Sequence, residues 1–157
     1  MGRRHPPWTA DQERVYLFRH FTIDHLGEDG EPTMAERVLV VGNCNPDHAM
    51  LSLLLKRSFQ ADVVRAHSPS DALAALRSGP FGLVLVNRIL DRDGSEGLEL
   101  IRTIKASPEF GATPVMMITD YPEHQALAVA AGAASGFGKS ELQDAETHEK
   151  LARILGA

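Results

Sequence analysis

Few residues in this 157-residue chain have the type and spacing for chemistry. The single cysteine, Cys44, follows an apolar run and precedes a helical pattern. A thiol in such a strand-to-helix turn can be activated as a nucleophile. A Cys-x5-Arg phosphate cradle needs arginine at position 50, where Met50 stands, so that chemistry is excluded. Redox sensing or plain packing is left for Cys44. Asp91 and Asp93 share one loop, where Asp93-Gly94 supplies a bend and Ser95 the cap of the next helix. Asp47 reads as a first-turn acid that suits the helix dipole, and Asp120 as the cap of a later helix. The seven histidines (5, 20, 25, 48, 67, 124 and 148) fall in different segments, and no two stand at i, i+4 with a helical acid. A metal site is therefore not expected. The first turn has no G-x-G-x-x-G, which argues against a dinucleotide cofactor. What remains is a set of residues placed directly after apolar runs: Gly42, Asn43 and Cys44; Asn87; Thr119 and Asp120; and Lys139.

The runs that position them belong to one ordinary globular domain. Apolar residues are 43% and charged residues 24%, which excludes a disordered chain, a collagen and a coiled coil. The net charge of −5 gives no basic surface for nucleic acid. No apolar run is long enough for a membrane span, and the N-terminus lacks the apolar core of a secretory signal. One cysteine permits no internal disulfide, so a reducing cytoplasm is the expected setting. Residues 1–36 differ from the rest. They carry four basic and seven acidic residues, a net −3, and four of the nine aromatics: Trp8, Tyr16, Phe18 and Phe21. Thr9 and Gln12 form a capping-box pattern, and residues 27–32 read as a linker. Two readings stay open, a docking segment or an extension ahead of a true start at Met34.

From residue 37 strands and helices alternate. Val38–Val41, Asp62–Ala66, Leu83–Val86, Pro114–Ile118 and Gly136–Gly138 read as strands, the apolar ones buried on both faces. Between them, Asn45 is expected to cap a helix carrying Met50, Leu51, Leu54 and Leu55. Ser68-Pro69 opens a helix with Ala72, Leu73 and Leu76. A third carries Leu98, Ile101 and Ile104, and a fourth, after Tyr121-Pro122, carries Leu127 and Val129. Asp144 caps a last one with Leu151, Ile154 and Leu155. Parallel strands need crossovers, so the expected fold is α/β: a doubly wound five-stranded parallel sheet with helices on both faces. In such sheets the functional crevice lies at the carboxyl ends of the strands.

With these elements in order, residues 37–157 resemble the response-regulator receiver domain of two-component signalling, the CheY-like member of the flavodoxin-like folds. The resemblance rests on the five-fold β/α alternation, on Thr119 in Met-Met-Ile-Thr-Asp and on Lys139 in Gly-Phe-Gly-Lys-Ser. It implies an acidic pair after the first strand, which falls on Gly42 and Asn43. It implies a phosphoacceptor aspartate after the third, which falls on Asn87 in Leu-Val-Leu-Val-Asn. Thr119 and Lys139 would be the retained hydroxyl and lysine. The family's aromatic switch position falls on Gly136, with Phe137 one residue later and expected in the core. The proline expected after the lysine is Ser140.

The departures bear on the chemistry. Phosphoryl transfer to aspartate needs a carboxylate nucleophile and a Mg2+ held by oxygen ligands. Gly42, Asn43 and Asn87 supply no charge, so neither phosphotransfer nor Mg2+ binding is expected, and no cofactor is implied. Lys139, deprived of its carboxylate, is expected to bond the Asn87 side-chain oxygen. The reading is a degenerate receiver: no enzyme, but a stand-alone, phosphorylation-independent module that binds a protein partner through the Pro122 to Leu155 face. That face holds an alanine-rich run and leaves homodimerisation open. The sequence shows no further output domain. Two alternatives are an active regulator using Asp91 or Asp93 as acceptor, and a small-ligand domain using the neutral pocket.

Overall fold

The computed structural model describes residues 36–156, within a compact unit spanning Glu36–Ala157. The readings of the N-terminal aromatics, the Thr9–Gln12 pattern and Met34 lie outside the described residues. Five strands and five α-helices alternate: β1 (Arg37–Val41), α1 (Asn45–Phe59), β2 (Asp62–Ala66), α2 (Pro69–Ser78), β3 (Leu83–Asn87), α3 (Gly97–Ala106), β4 (Val115–Ile118), α4 (Pro122–Ala130), β5 (Ala134–Phe137) and α5 (Ala145–Leu155). A short 3-10 turn, Lys139–Glu141, joins β5 to α5. All strand pairs are parallel, in the order β2-β1-β3-β4-β5. That is the flavodoxin-like order of doubly wound sheets, with its switch point between β1 and β3.

Strand residues alternate between two cores, because successive side chains point to opposite faces. Val38, Val40, Leu83, Leu85, Met116 and Ile118 pack with Leu51 and Leu55 of α1 and Leu151 of α5. Leu39, Val41, Val84, Val86, Val115 and Met117 pack with residues of α2, α3 and α4. Each aliphatic side chain fully buried in these layers contributes about 1.5–3 kcal/mol. The continuous apolar runs of β1, β3 and β4 are what two-sided burial requires.

Several local expectations change. Asn45 is the first residue of α1 and Cys44 stands at the N-cap, with no side-chain capping bond. Cys44 is exposed rather than packed. Met50 is 54% exposed. At about 100° per residue it lies a quarter-turn or more outside the Leu51–Leu55 stripe. In α4, Leu127 and Val129 face outward, and the small Ala128 is the residue buried against the sheet. Ser95 does not cap α3. Glu96 stands there, while Ser95 donates both its amide and its hydroxyl to Asp93. Asp120 does not cap α4 either, since Tyr121 occupies that position. Asp144 does stand at the N-cap of α5, without a side-chain bond. No helix among the described residues is long and apolar enough to cross a membrane.

Candidate functional site

The carboxyl ends of β3, β4 and β5 open into a cleft of about 220 Å3, lined by Asn87, Arg88, Thr119, Asp120, Tyr121 and Lys139 among others. Four of the residues singled out by sequence, Asn87, Thr119, Asp120 and Lys139, meet here. Gly42 and Asn43 are not among the residues that line this cleft.

Asn87, the last residue of β3, spends its side-chain amide on the backbone. Its Nδ2 donates to Gly42 O at 3.1 Å and to Ile89 O at 2.7 Å. An amide nitrogen has two hydrogens, so both are used. Gly42 O also accepts from Asp91 N at 3.0 Å. Gly42 itself has φ +80°, and a Cβ there would run into Leu90, 2.9 Å from its Cα. The chain can cross this point only without a side chain.

Lys139 does not reach Asn87 as expected. Its Nζ lies 2.6 Å from Asp47 Oδ2, in the first turn of α1. That bond, with a weaker one from the Cys44 thiol, holds the Asp47 carboxyl below its ordinary value against the opposing effect of partial burial. By its position in the chain Asp47 has only a dipole role. In the fold it is the acid that faces the lysine, because β5 and the N-terminus of α1 end at the same edge. With Asn87 neutral and turned to the backbone, Asp47 is the partner that ammonium finds.

Thr119 is 7% exposed, and its Oγ1 accepts from Tyr121 N at 3.2 Å. Asp120 accepts from Ser140 Oγ at 2.6 Å and from Ser140 N at 3.3 Å, which fixes the turn after β5. The serine standing where the resemblance expects proline thus has a hydroxyl that does structural work. Arg88 lies over the Tyr121 ring, 5.4 Å from its centroid.

A further polar anchor, Gln125 of α4, escaped the sequence reading. Its Nε2 donates to Met117 O at 2.9 Å and to Thr119 O at 3.2 Å, and its Oε1 accepts from Gly136 N at 2.9 Å. These bonds bridge a register irregularity between β4 and β5, where Met116 pairs Ala134 but Ile118 pairs Phe137. Phe137 is buried in the core as expected.

Asp91 and Asp93 stand apart from the cleft. Asp93 is bound into its own turn by Ser95, which holds its carboxyl below the ordinary value. Asp91 Oδ2 lies 3.4 Å from His67 Nδ1, at the edge of the sheet beyond β2. Among the described residues no group of three or more His, Cys, Asp or Glu side chains is placed to hold a metal ion.

No protein-family model matches the sequence. Solved structures do match. The signal receiver domain of a DNA-binding response regulator from Colwellia psychrerythraea 34H shares 22% identity, with 78% of this chain and 99% of that one covered and a TM-score of 0.68. The receiver domain of a signal transduction histidine kinase from Syntrophus aciditrophicus shares 19%, over 78% and 91%, with a TM-score of 0.65. The chemotaxis protein CheY4 of Vibrio cholerae shares 22%, over 76% and 98%, with a TM-score of 0.63. At these identities the likeness establishes the architecture: residues 36–156 have the fold of the CheY-like receiver domains.

Proposed function

We propose that this chain is a degenerate receiver domain of a signalling system, acting as a protein-interaction module that does not depend on its own phosphorylation. The observation that carries the reading is the Asn87 amide, donated at once to Gly42 O and Ile89 O. An aspartate acceptor would present negative oxygens at this point, and a Mg2+ beside it would draw on oxygen lone pairs. Here the two hydrogens of the Asn87 amide take up the Gly42 and Ile89 carbonyls, and Asn87 offers no nucleophilic carboxylate. The positive φ of Gly42 and the nearness of Leu90 leave no room for an acid at that position. The donor set therefore does not suit Mg2+, and no step is routed through it. Lys139, the other half of a phosphoryl site, is already matched by Asp47.

As a module of this kind the domain binds a protein partner, in the cytoplasm, through the Pro122 to Leu155 face. Exposed Leu127 and Val129 on α4, with Tyr121 just before it, support that assignment and leave a homodimer open. Asp91 and Asp93 are poor substitute acceptors, since one sits beside His67 and the other is tied into its turn.

The test is a titration of Mg2+ with beryllofluoride, followed by amide NMR of the full chain. No saturable change at Thr119 or Lys139 is expected. A Mg2+-dependent, saturable shift there would overturn the reading in favour of an active regulator.

A further inference from the structure

The other end of the same strand edge behaves differently. Among the described residues, three buried side-chain atoms have no partner, Asn43 Oδ1, His48 Nδ1 and Arg65 Nε, and a fourth, His67 Nδ1, makes no hydrogen bond but faces Asp91 Oδ2 at 3.4 Å. All four belong to the corner where β1, β2 and the first turn of α1 meet. Buried polar atoms are seldom left unpaired, and an ion or a water is a common explanation when they are. Asn43 is 1% exposed, so the corner reaches into the interior. Arg65 is held in place there. Its Nη2 donates to Asn43 O and to Asn45 Oδ1, both at 2.9 Å, which leaves Nε–H as a fixed donor. His67, beyond the end of β2, is partly exposed and marks the outer side.

We propose that Asn43, His48, Arg65 and His67 form a binding site for a small oxyanion of the phosphate type, separate from the Asn87–Lys139 cleft. The guanidinium and the His48 imidazole supply donors, His67 stands at the rim with its Nδ1 toward Asp91, and Asn43 Oδ1 accepts from the protonated oxygen of a hydrogen phosphate. Other charged groups around the corner are balanced. Lys56 and Arg65 act on His48 from α1 and β2, Asp91 faces His67, and Asp71 Oδ2 accepts from the His67 amide. Asp47 is turned to Lys139. The positive surroundings and partial burial push the His48 imidazole below its ordinary value, with burial the larger cause. An anion would reverse that, so binding takes up a proton and tightens as pH falls. The site does not rest on the fate of Asn87.

Inorganic phosphate is the probe, titrated into the full chain at constant ionic strength, with chloride and sulfate as controls. The readouts are 15N NMR of the Arg65 Nε and the two imidazoles. Saturable shifts at Arg65, His48 and His67 are expected for phosphate, with millimolar or better affinity that is several-fold stronger at pH 6 than at pH 8. His48→Gln keeps the size of the ring roughly and should weaken binding several-fold with the fold intact, while Arg65→Gln should abolish it. Three results would overturn the proposal: no shift at these residues, an equal response to chloride, or shifts confined to Thr119 and Lys139. The last would place the anion in the cleft instead, and the first would assign the corner to water alone.

Discussion

The two ends of the strand edge solve the same problem in opposite ways. At the β3–β4–β5 end nearly every polar group is answered by the chain itself: Asn87 by two carbonyls, Lys139 by Asp47, Asp120 by Ser140, Gln125 by three strand-end groups. At the β1–β2 end Asn43 Oδ1, His48 Nδ1 and Arg65 Nε go unanswered, and His67 Nδ1 has only the Asp91 carboxylate at 3.4 Å. A self-satisfied site is stable without a ligand and gains little from one. An unsatisfied corner costs stability until something fills it. In a working phosphoacceptor the assignment runs the other way, because an empty carboxylate site at the end of β3 is the one that calls for a cation.

The largest break in this contrast comes from placing an acid at position 42. Gly42→Asp would need a side chain at φ +80° against Leu90. The positive φ and the overpacking together predict a loss of about 2–4 kcal/mol, read by chemical denaturation. Leu90→Ala in the same chain should recover part of the packing component. An undiminished midpoint for Gly42→Asp would mean that the turn is free to reopen.

Asn87→Asp comes next. It replaces a donor to Gly42 O and Ile89 O with an oxygen that faces both, so two hydrogen bonds become repulsive contacts. About 2–3 kcal/mol should be lost in the presence of a chelator. The new carboxylate and the two carbonyls form an oxygen set, so millimolar Mg2+ should restore part of the loss in the variant and leave the parent chain unchanged. Equal Mg2+ responses in both would remove the distinction between the two ends. Gln125→Leu should cost about 2 kcal/mol by freeing the β4–β5 irregularity, with enhanced amide exchange at Thr119 and Gly136 as its signature.

How much of this was legible in the sequence depends on the kind of residue. Val38–Val41, Leu83–Val86 and Val115–Ile118 announce buried strands because two-sided burial demands apolar residues at consecutive positions, a signal that needs no partner to interpret. Thr119, Lys139 and Asn87 could be placed at one edge for the same reason. Partnerships across the edge could not. Asp47 and Lys139 are far apart in the chain, and only the shared edge of α1 and β5 joins them. Arg65 and Gln125 look like ordinary surface residues on a strand and a helix; their roles come from backbone groups exposed by a turn and a register shift. Met50 and Leu127 fit a helical pattern wide enough to admit residues at its margin, and the helix turns both outward.

The Asp47–Lys139 pair should matter less than its short distance suggests. Both side chains are substantially exposed, so Lys139→Met should cost only about 0.5–1 kcal/mol. Asp47 has a lowered value in the folded chain, so its contribution is present above the ordinary carboxylate value and is lost as pH falls through the folded one. The parent should therefore lose its advantage over Lys139→Met below about pH 4, the ordinary aspartate range. A difference constant down to pH 2 would show that the pair is not ionised.

The smallest effect bears most directly on the unsatisfied corner. His48 also has a lowered value in the folded chain, from burial first and then from Arg65, Lys56 and His67. A histidine of this kind is neutral in the folded chain while the unfolded chain takes up a proton near pH 6.5. The unfolded state then binds more protons, so stability is held above that pH and declines as pH falls below it. His48→Gln should flatten this slope between pH 7 and 5 by a few tenths of a kcal/mol, given the partial exposure of the ring. Phosphate should flatten it in the parent chain and do little in the variant, because the anion favours the charged imidazole that the bare corner disfavours. A slope that survives the substitution would move the titrating group elsewhere, and a slope that phosphate leaves intact would leave the corner to water.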